Sequence, residues 1–122
     1  MMQAKRRRRV LIVEDEPALR LSYHRAFQPR YDLIFASTGA EAMEQLELQP
    51  PDVAVLDMRL PDTDGVELLR RIRVSYPDLP VIITTAYMSI EPQLKVLDLP
   101  HSGYIVKPFR LDELGARIDA VL

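Results

Sequence analysis

The sequence has no cysteine among its 122 residues and no long apolar run. Without thiols, the chain can build neither a disulfide framework nor a thiolate metal site, and it needs no oxidising compartment for its stability. No stretch approaches the roughly 20 apolar residues of a membrane-spanning helix, and the N-terminus lacks the apolar core of a signal peptide. We therefore expect a cytoplasmic protein with no membrane partner.

A strong net charge is absent as well. The formal net charge is -2, so the chain lacks the positive field that nucleic-acid-binding domains usually carry. The one basic cluster, Lys5–Arg9, has no interleaved aromatic residues, which makes a nucleic-acid or lipid contact a weaker interpretation than a solvated tail. With 48% hydrophobic residues, the chain is predicted to form one domain over residues 9–122 after a basic tail over residues 1–8.

Short apolar runs rich in β-branched residues recur along the chain. They are nearly continuous in hydrophobicity, which is typical of strands covered on both faces of a parallel sheet. They predict five strands, at Val10–Val13, Leu33–Ala36, Val53–Leu56, Val81–Thr84 and Tyr104–Val106.

A helix-period segment follows each of these runs. The first has Pro17 in its first turn and places Leu19, Tyr23, Ala26 and Phe27 on one face. The others span about Gly39–Leu48, Gly65–Val74, Ile90–Asp98 and Leu111–Val121.

The strict alternation of strands and helices indicates parallel strands joined by right-handed crossovers. We predict a flavodoxin-like (βα)5 domain, a doubly wound three-layer α/β sandwich with a five-stranded parallel sheet. In such sheets, ligands bind outside the carboxyl ends of the strands, near the point where the strand order reverses. The residues that end each strand are therefore the candidates for chemistry.

Carboxylates end the first and third predicted strands. Glu14 and Asp15 follow the first and Asp57 follows the third, so the three should meet at one rim of the sheet. Oxygen ligands with room for water and a phosphoryl oxygen suit Mg²⁺ rather than a soft metal. Acidic residues after a strand often cap a helix instead, a role open to Asp15 or Glu16. Capping does not explain Asp57, because Asp62 and Asp64 stand nearer the next helix.

The fourth and fifth strands add a hydroxyl and an ammonium to the same rim. Thr85 and Ala86 follow the fourth strand, and Lys107 and Pro108 follow the fifth. A metal cation, a hydroxyl and an ammonium around one carboxylate are what is needed to hold a phosphoryl group. Asp57 is then the natural nucleophile, and it would form an aspartyl phosphate.

This order of residues resembles the receiver domain of two-component response regulators. The pattern is an acidic pair after the first strand, Asp57 after the third, Thr85–Ala86 after the fourth and Lys107–Phe109 after the fifth. The resemblance covers nearly the whole chain, from about Arg9 to Val121. Its specificity comes from several separate strand ends that each supply what the pattern requires.

The resemblance implies a metal site and a phosphoacceptor. Glu14 and Asp15 resemble the acidic pocket that binds Mg²⁺, and Asp57 resembles the phosphoacceptor, itself a metal ligand. The backbone carbonyl of Arg59 resembles a further ligand of the metal. The side chains of Arg59 and Tyr87 flank the site and are expected to tune the rate of dephosphorylation.

The resemblance also implies the parts of a switch. Thr85, with Ala86 beside it, resembles the hydroxyl residue that moves toward the phosphoryl group. Lys107 resembles the lysine that contacts the phosphoryl group, and Pro108 is expected to follow it in a cis linkage. Tyr104 matches the aromatic position whose ring swings inward when Thr85 moves.

The function implied is phosphoryl transfer from a histidine kinase, a phosphotransfer protein or a small acyl phosphate to Asp57. Such a domain catalyses only its own phosphorylation and dephosphorylation, and it is not an enzyme in the ordinary sense. Its expected partners are the kinase, a downstream effector domain or protein and, as a further candidate, a second copy of itself. No direct contact with nucleic acid is expected.

Other interpretations remain open at this point. A Mg²⁺-dependent phosphohydrolase would need a general acid and a substrate pocket, for which the short connections leave little room. A binding module that has lost phosphorylation is disfavoured by the complete set of site residues. The chain fits either a stand-alone regulator or the receiver of a longer protein. Pro100, before His101, predicts an early end for the fourth helix. This departure from the family pattern argues against the usual use of the face formed by the fourth helix, fifth strand and fifth helix as the output or dimerisation surface.

Overall fold

A computed structural model of the chain describes residues 7–86 and 102–122. Strands and helices alternate through these residues as the apolar pattern predicted. The strands are β1 (Arg9–Val13), β2 (Asp32–Ala36), β3 (Val53–Asp57), β4 (Val81–Thr85) and β5 (Ser102–Val106). The helices are α1 (Pro17–Phe27), α2 (Gly39–Leu48), α3 (Gly65–Ser75) and α4 (Leu111–Val121). The helix predicted over Ile90–Asp98 and the turn at Pro100–His101 lie outside the described residues.

The five strands form one parallel sheet in the order β2-β1-β3-β4-β5. This confirms the predicted flavodoxin-like α/β fold. The chain leaves β1 in one direction to reach β2 and returns to the other side of β1 to form β3. The strand order therefore reverses between β1 and β3, and the carboxyl ends of these two strands border a crevice.

Each face of the sheet packs against its own layer of helices. Successive side chains along each strand point to opposite faces of the sheet, and therefore to opposite helix layers. Helices α2 and α3 cover one face, with buried residues that include Leu11, Leu56, Ile83, Leu46 and Leu69. Helices α1 and α4 cover the other, with buried residues that include Ile12, Val55, Ile82, Tyr23 and Leu114. The predicted apolar face of α1 is confirmed, because all four of its residues belong to this second cluster.

The helices begin at residues that suit a first turn. Pro17 opens α1, where its missing N–H costs no hydrogen bond. Thr38 and Asp64 are the N-caps of α2 and α3, and each accepts a hydrogen bond from the backbone N–H three residues later. Glu16 stands at the N-cap of α1 but makes no side-chain cap. None of the helices described is long and apolar enough to cross a membrane.

The edge of the sheet where the strands begin, the amino edge, is held by paired charges. The backbone N–H of Arg9 donates to Asp52 at 2.7 Å, and the Arg9 guanidinium lies 3.3 Å from Asp32. Arg7, predicted to lie in a solvated tail, donates to the backbone carbonyls of Gln28 and Tyr31 at the end of α1. The arginine run therefore contacts the folded domain from Arg7 onward.

A second set of polar contacts at the amino edge joins the turn after α1 to α4. Asp119 accepts hydrogen bonds from the Arg30 guanidinium and from the Tyr31 hydroxyl. Burial and the bond to Asp119 raise the pKa of Tyr31 to about 12. The phenol therefore stays protonated and keeps donating to Asp119 at neutral pH.

Candidate functional site

The pleat of the sheet directs the site residues to one face. Ile12, Val55 and Ile105 point toward α1 and α4. Glu14, Asp57 and Lys107 each follow one of these residues by two positions, so they continue the same face at the carboxyl end of the strand. The parallel register places the three strand ends side by side, although they are far apart in the sequence.

Three carboxylates converge at this carboxyl edge. One oxygen from each of Glu14, Asp15 and Asp57 lies within 4.8 Å of the others. Glu14 and Asp57 are buried, with 2% and 9% of their surface exposed, whereas Asp15 is exposed. An all-oxygen set of this kind, open on one side, suits a hard divalent cation that keeps some of its water.

Lys107 is the cation that faces this cluster. Its Nζ lies 3.1 Å from Asp57 Oδ1 and 3.8 Å from Glu14 Oε1. The backbone N–H of Lys107 donates to the carbonyl of Thr85 at 2.6 Å, which holds the Lys107 backbone beside the end of β4. The peptide bond between Lys107 and Pro108 is cis, as predicted.

The Lys107 ammonium does not supply a hydrogen bond to every carboxylate oxygen around it. Glu14 Oε2 accepts the backbone N–H of Glu16 at 3.1 Å, but Oε1 is buried without a hydrogen-bond partner in the described part of the chain. Burial raises the pKa of Glu14 to about 7, and the charge of Asp57 adds to the increase. The N–H of Glu16 and the Lys107 ammonium oppose it. A second cation beside Glu14 would relieve this cost, because it would pair the buried oxygen.

Tyr23 supports the site from α1. Its side chain is 2% exposed, and its pKa is raised, first by burial and then by the charges of Glu14 and Asp57. Thr84 lies near enough to lower that pKa slightly, yet no described atom has hydrogen-bond geometry to the Tyr23 hydroxyl. The spacing of α1 predicted Tyr23 as a core residue but gave no sign that its hydroxyl lies close enough to two carboxylates to be affected by their charge.

The remaining predicted residues lie around the same edge with different orientations. Thr85 is fully buried, and the strand alternation places its side chain on the opposite face from Asp57, two residues after Ile83. Tyr104 pairs with Ile83 in the sheet and packs, half-buried, against that same face. Ala86 follows the strand and is exposed. Tyr87 lies outside the described residues.

The loop after Asp57 is tightly folded. Arg59 and Asp64 form an isolated antiparallel bridge, and the N–H of Gly65 donates to the carbonyl of Met58 at 2.8 Å. A Cβ at Gly65 would lie only 3.1 Å from the Met58 Cα and 3.2 Å from the Asp57 carbonyl oxygen. The absence of a side chain at Gly65 thus lets α3 begin directly beside the strand end that carries Asp57.

Asp62, in this loop, makes a contact that the sequence did not predict. Its carboxylate accepts the N–H groups of Gly39 and Ala40, so it caps α2 and not the helix that follows it. Asp64 does cap the following helix, as its position suggested. Sequence spacing alone could not identify the partners of Asp62, because Gly39 and Ala40 lie 23 and 22 residues away.

The comparisons with known proteins agree with this architecture. The family model described as the response regulator receiver domain matches residues 10–119. Response regulator MprA of Mycobacterium leprae is 39% identical over 115 residues, which are 93% of this chain and 50% of that protein. The chain therefore spans about half the length of the curated relatives that it matches.

Solved structures resemble the chain over almost all of its length. The non-phosphorylated HemR receiver domain of Leptospira biflexa is 34% identical, covers 94% of each chain and has a TM-score of 0.82. The response regulator TrrA of Thermotoga maritima, solved in complex with Mg²⁺–BeF, is 30% identical, with a TM-score of 0.84 over 94% of this chain and 99% of that chain. Fold, strand-end residues and family model agree, and the chain belongs to the response regulator receiver domains of two-component signalling systems.

Proposed function

We propose that Asp57 accepts a phosphoryl group in a Mg²⁺-dependent transfer, and that this modification switches the surface seen by a partner. The observation that carries the proposal is the convergence of Glu14, Asp15 and Asp57 with the Lys107 ammonium at the carboxyl edge. Membership of the receiver family and the Mg²⁺–BeF complex of TrrA support it.

The residues present fit a magnesium ion. Glu14, Asp15, Asp57 and the backbone carbonyl of Arg59 would hold it. The buried Oε1 of Glu14, which accepts no hydrogen bond from the described residues and lies 3.8 Å from the Lys107 ammonium, is the atom that most needs a further cation. When bound, Mg²⁺ would neutralise charge on the oxygens of the transferred group. The Arg59 carbonyl lies on a loop that the bridge between Arg59 and Asp64 closes, so the direction of this carbonyl would be set before the ion binds.

Asp57 would act as the nucleophile. One of its oxygens attacks the phosphorus of a phosphohistidine on a kinase or phosphotransfer protein, and the phosphorus–nitrogen bond breaks to release the imidazole. Lys107, 3.1 Å from Asp57 Oδ1, holds the carboxylate in place and can move to the arriving phosphoryl oxygens. A small acyl phosphate can serve as donor by the same displacement, with a carboxylate as leaving group.

Thr85 and Tyr104 would report the modification to the surface. Phosphorylation adds about two negative charges beside Asp57. The Thr85 hydroxyl would turn toward them, and the space that it leaves on the α2 and α3 face would admit the Tyr104 ring. The switch biases an existing equilibrium by the difference in interaction energy between the two states. The side chains of Arg59 and Tyr87 would set how quickly water removes the group.

The phosphodonor has a surface to approach beside Lys107. An apolar groove of about 330 Å³ runs between α1 and the residues after β5, with Leu19, Tyr23, Pro108 and Phe109 among its lining. We propose that the donor protein contacts this groove and that the signal passes to an effector domain, an effector protein or a second copy of the chain. A cytoplasmic location is part of the same proposal.

The test is the intact mass of the chain after incubation with Mg²⁺ and acetyl phosphate. A single phosphoryl adduct is expected for the wild type, and none for Asp57→Asn or for the wild type in EDTA. An adduct that persists in Asp57→Asn would contradict the assignment of the nucleophile. Measuring released phosphate distinguishes the alternative enzyme, because a phosphohydrolase would turn over many equivalents of a phosphate ester while the receiver would not.

A further inference from the structure

Asp62 lies in the loop between β3 and α3, yet its carboxylate caps a different helix. Its Oδ1 accepts the backbone N–H of Gly39 at 2.8 Å, and its Oδ2 accepts that of Ala40 at 3.0 Å. These are the first two residues of α2. The two N–H groups hold the pKa of Asp62 below its usual range, so the carboxylate stays ionised at the positive end of the helix.

The N-terminus of α2 therefore has two caps of different kinds. The first four N–H groups of a helix have no partner within it. Thr38, the N-cap residue, accepts the N–H of Glu41 at 3.0 Å and so serves only its own helix. Asp62 accepts the two preceding N–H groups and thereby joins α2 to the loop after Asp57.

The loop that carries Asp62 is internally braced. Arg59 and Asp64 form an antiparallel bridge across it, and the N–H of Leu60 donates to the carbonyl of Thr63 at 3.1 Å. Asp62 lies inside this closed turn, two residues from the bridge on one side and three on the other. An anchor at Asp62 therefore restrains the carbonyl of Arg59 as well.

Gly39 lets the loop come this close to the helix. A Cβ at Gly39 would lie 2.6 Å from Thr63 Cγ2 and 3.4 Å from Asp62 Oδ1. The first distance is shorter than any ordinary carbon contact, so a side chain here would require the Thr63 side chain to rotate or the loop to move away from α2. The missing Cβ and the paired hydrogen bonds both favour the same close contact.

We propose that Asp62 is a positioning residue for the phosphoryl site: by capping α2, it fixes the loop that presents the Arg59 carbonyl to Mg²⁺. This rests on the proposed function, since the carbonyl has that task only if the site binds the metal. Asp62 touches neither the metal nor the phosphoryl group. It acts through the loop and the helix.

The experiment is a titration of Mg²⁺ alone into the full chain, followed by amide NMR shifts at the carboxyl edge. Asp62→Ala removes both acceptors and should weaken Mg²⁺ binding about tenfold, the low end for groups that orient a metal ligand. Asp62→Asn keeps one oxygen acceptor and should recover part of the loss. Gly39→Ala keeps the Asp62 carboxylate but crowds Thr63 in the same loop, and it should weaken binding in the same direction.

The matched control is Thr38→Val. It removes a cap from the same helix end, so it should lower the melting temperature about as much as Asp62→Ala, but it leaves the contact with the loop intact. Mg²⁺ affinity should therefore remain at the wild-type value in Thr38→Val. Equal Mg²⁺ affinities in Asp62→Ala and Thr38→Val, whether both weakened or both unchanged, would overturn the proposal.

Amide exchange separates this proposal from the proposed function. If the wild type binds no Mg²⁺, the metal-dependent function fails, and the exchange of the Leu60 N–H in the metal-free chain decides the role of Asp62. Faster exchange in Asp62→Ala but not in Thr38→Val would still assign Asp62 to fixing the loop. The same exchange rate in both variants would reject that assignment.

Discussion

The two edges of the sheet differ in how their charged residues are paired and exposed. At the amino edge, Asp52 accepts the N–H of Arg9 at 2.7 Å, and Asp32 lies 3.3 Å from the Arg9 guanidinium. At the carboxyl edge, three carboxylates lie near the ammonium of Lys107, the one ammonium that residues 7–86 and 102–122 place there. Their exposure differs too, because 54% of the Asp32 side chain is exposed and only 2% of the Glu14 side chain is.

This difference distinguishes exposed, paired charges from charges that are buried at a cost to the stability of the fold. A paired, solvated carboxylate costs little and contributes little. A buried carboxylate with an unpaired oxygen costs stability unless it is protonated or finds a cation. The buried carboxylates at the carboxyl edge therefore lower the stability of the fold, and a bound cation would relieve this cost. The predictions below test this contrast at both edges.

The largest effect on stability is expected from Glu14→Gln in the absence of metal. The folded carboxyl keeps its proton up to about pH 7, whereas its ordinary pKa is 4.5. The folded state therefore binds more protons between these values, and stability falls as the pH rises through this window, by about 3 kcal/mol in all. The glutamine variant should lack this fall and be more stable than the wild type at pH 8.

Urea unfolding from pH 4 to pH 8 in EDTA measures the effect. Addition of Mg²⁺ should stabilise the wild type at pH 8 and do little for Glu14→Gln. Parallel stability curves for the two proteins across the whole range would show that Glu14 is not the group that costs stability.

Lys107→Met should have the next largest effect. Lys107 is the only ammonium near Glu14 and Asp57 among the described residues, so its removal leaves like charges facing each other. We expect a loss of about 2 kcal/mol at pH 8 without metal. The stabilisation by Mg²⁺ should then exceed that of the wild type, since the ion replaces the lost charge. Phosphorylation by acetyl phosphate should nevertheless slow about 100-fold, because the phosphoryl oxygens lose a contact.

Thermal unfolding with and without Mg²⁺, together with the rate of adduct formation, provides the readout. Lys107→Arg keeps the positive charge and should retain most of the metal-free stability. A smaller Mg²⁺ effect in Lys107→Met than in the wild type would argue against competition between lysine and metal for the same carboxylates.

Asp52→Ala should have a moderate effect at the amino edge. It removes the acceptor of the Arg9 N–H, a part-buried hydrogen bond, and should cost about 1 kcal/mol. Phosphorylation and Mg²⁺ affinity should stay unchanged, since Asp52 precedes the start of β3 and Asp57 ends it. Urea unfolding measures the stability, and intact mass measures the rate of phosphorylation. A slower phosphorylation would show that the two edges are not independent.

Arg8→Ala should have the smallest effect. Arg8 lies 4.0 Å from Asp52, and 58% of its side chain is exposed, so solvent screens the pair. We expect a change below about 0.5 kcal/mol, which disappears in high salt. Unfolding at low and high ionic strength tests it, and a salt-independent loss would mean that the side chain packs rather than pairs.

The sequence predicted the elements of the fold well because its apolar runs carry the pattern directly. The helices at Gly39–Leu48 and Leu111–Val121 have the predicted bounds, and every strand was placed within two residues of its observed ends. Glu14, Asp15, Asp57 and Lys107 were predicted to meet because parallel strands end at one edge, and they do. Their chemical roles remain predictions that the mass measurement tests.

Other features depend on partners that lie far away in the sequence. Tyr23 looks like any core residue of an amphipathic helix, and only the packing of α1 against the sheet brings Tyr23 within the electrostatic influence of Glu14. Asp62 looks like a cap for α3, and only the packed loop brings it to Gly39 and Ala40. The identity of such partners is set by the relative placement of elements, which no local pattern encodes.

The sequence by itself determined the alternation of strands and helices, the class of fold and the residues at each strand end, because these follow from hydrophobic period and from parallel connection. The tertiary structure decided how charge is balanced among those residues. Burial leaves one oxygen of Glu14 without a hydrogen bond from the described residues, and Lys107 is shared between two carboxylates. Burial and distance between remote groups arise only when the layers pack, and they control the electrostatics of the site.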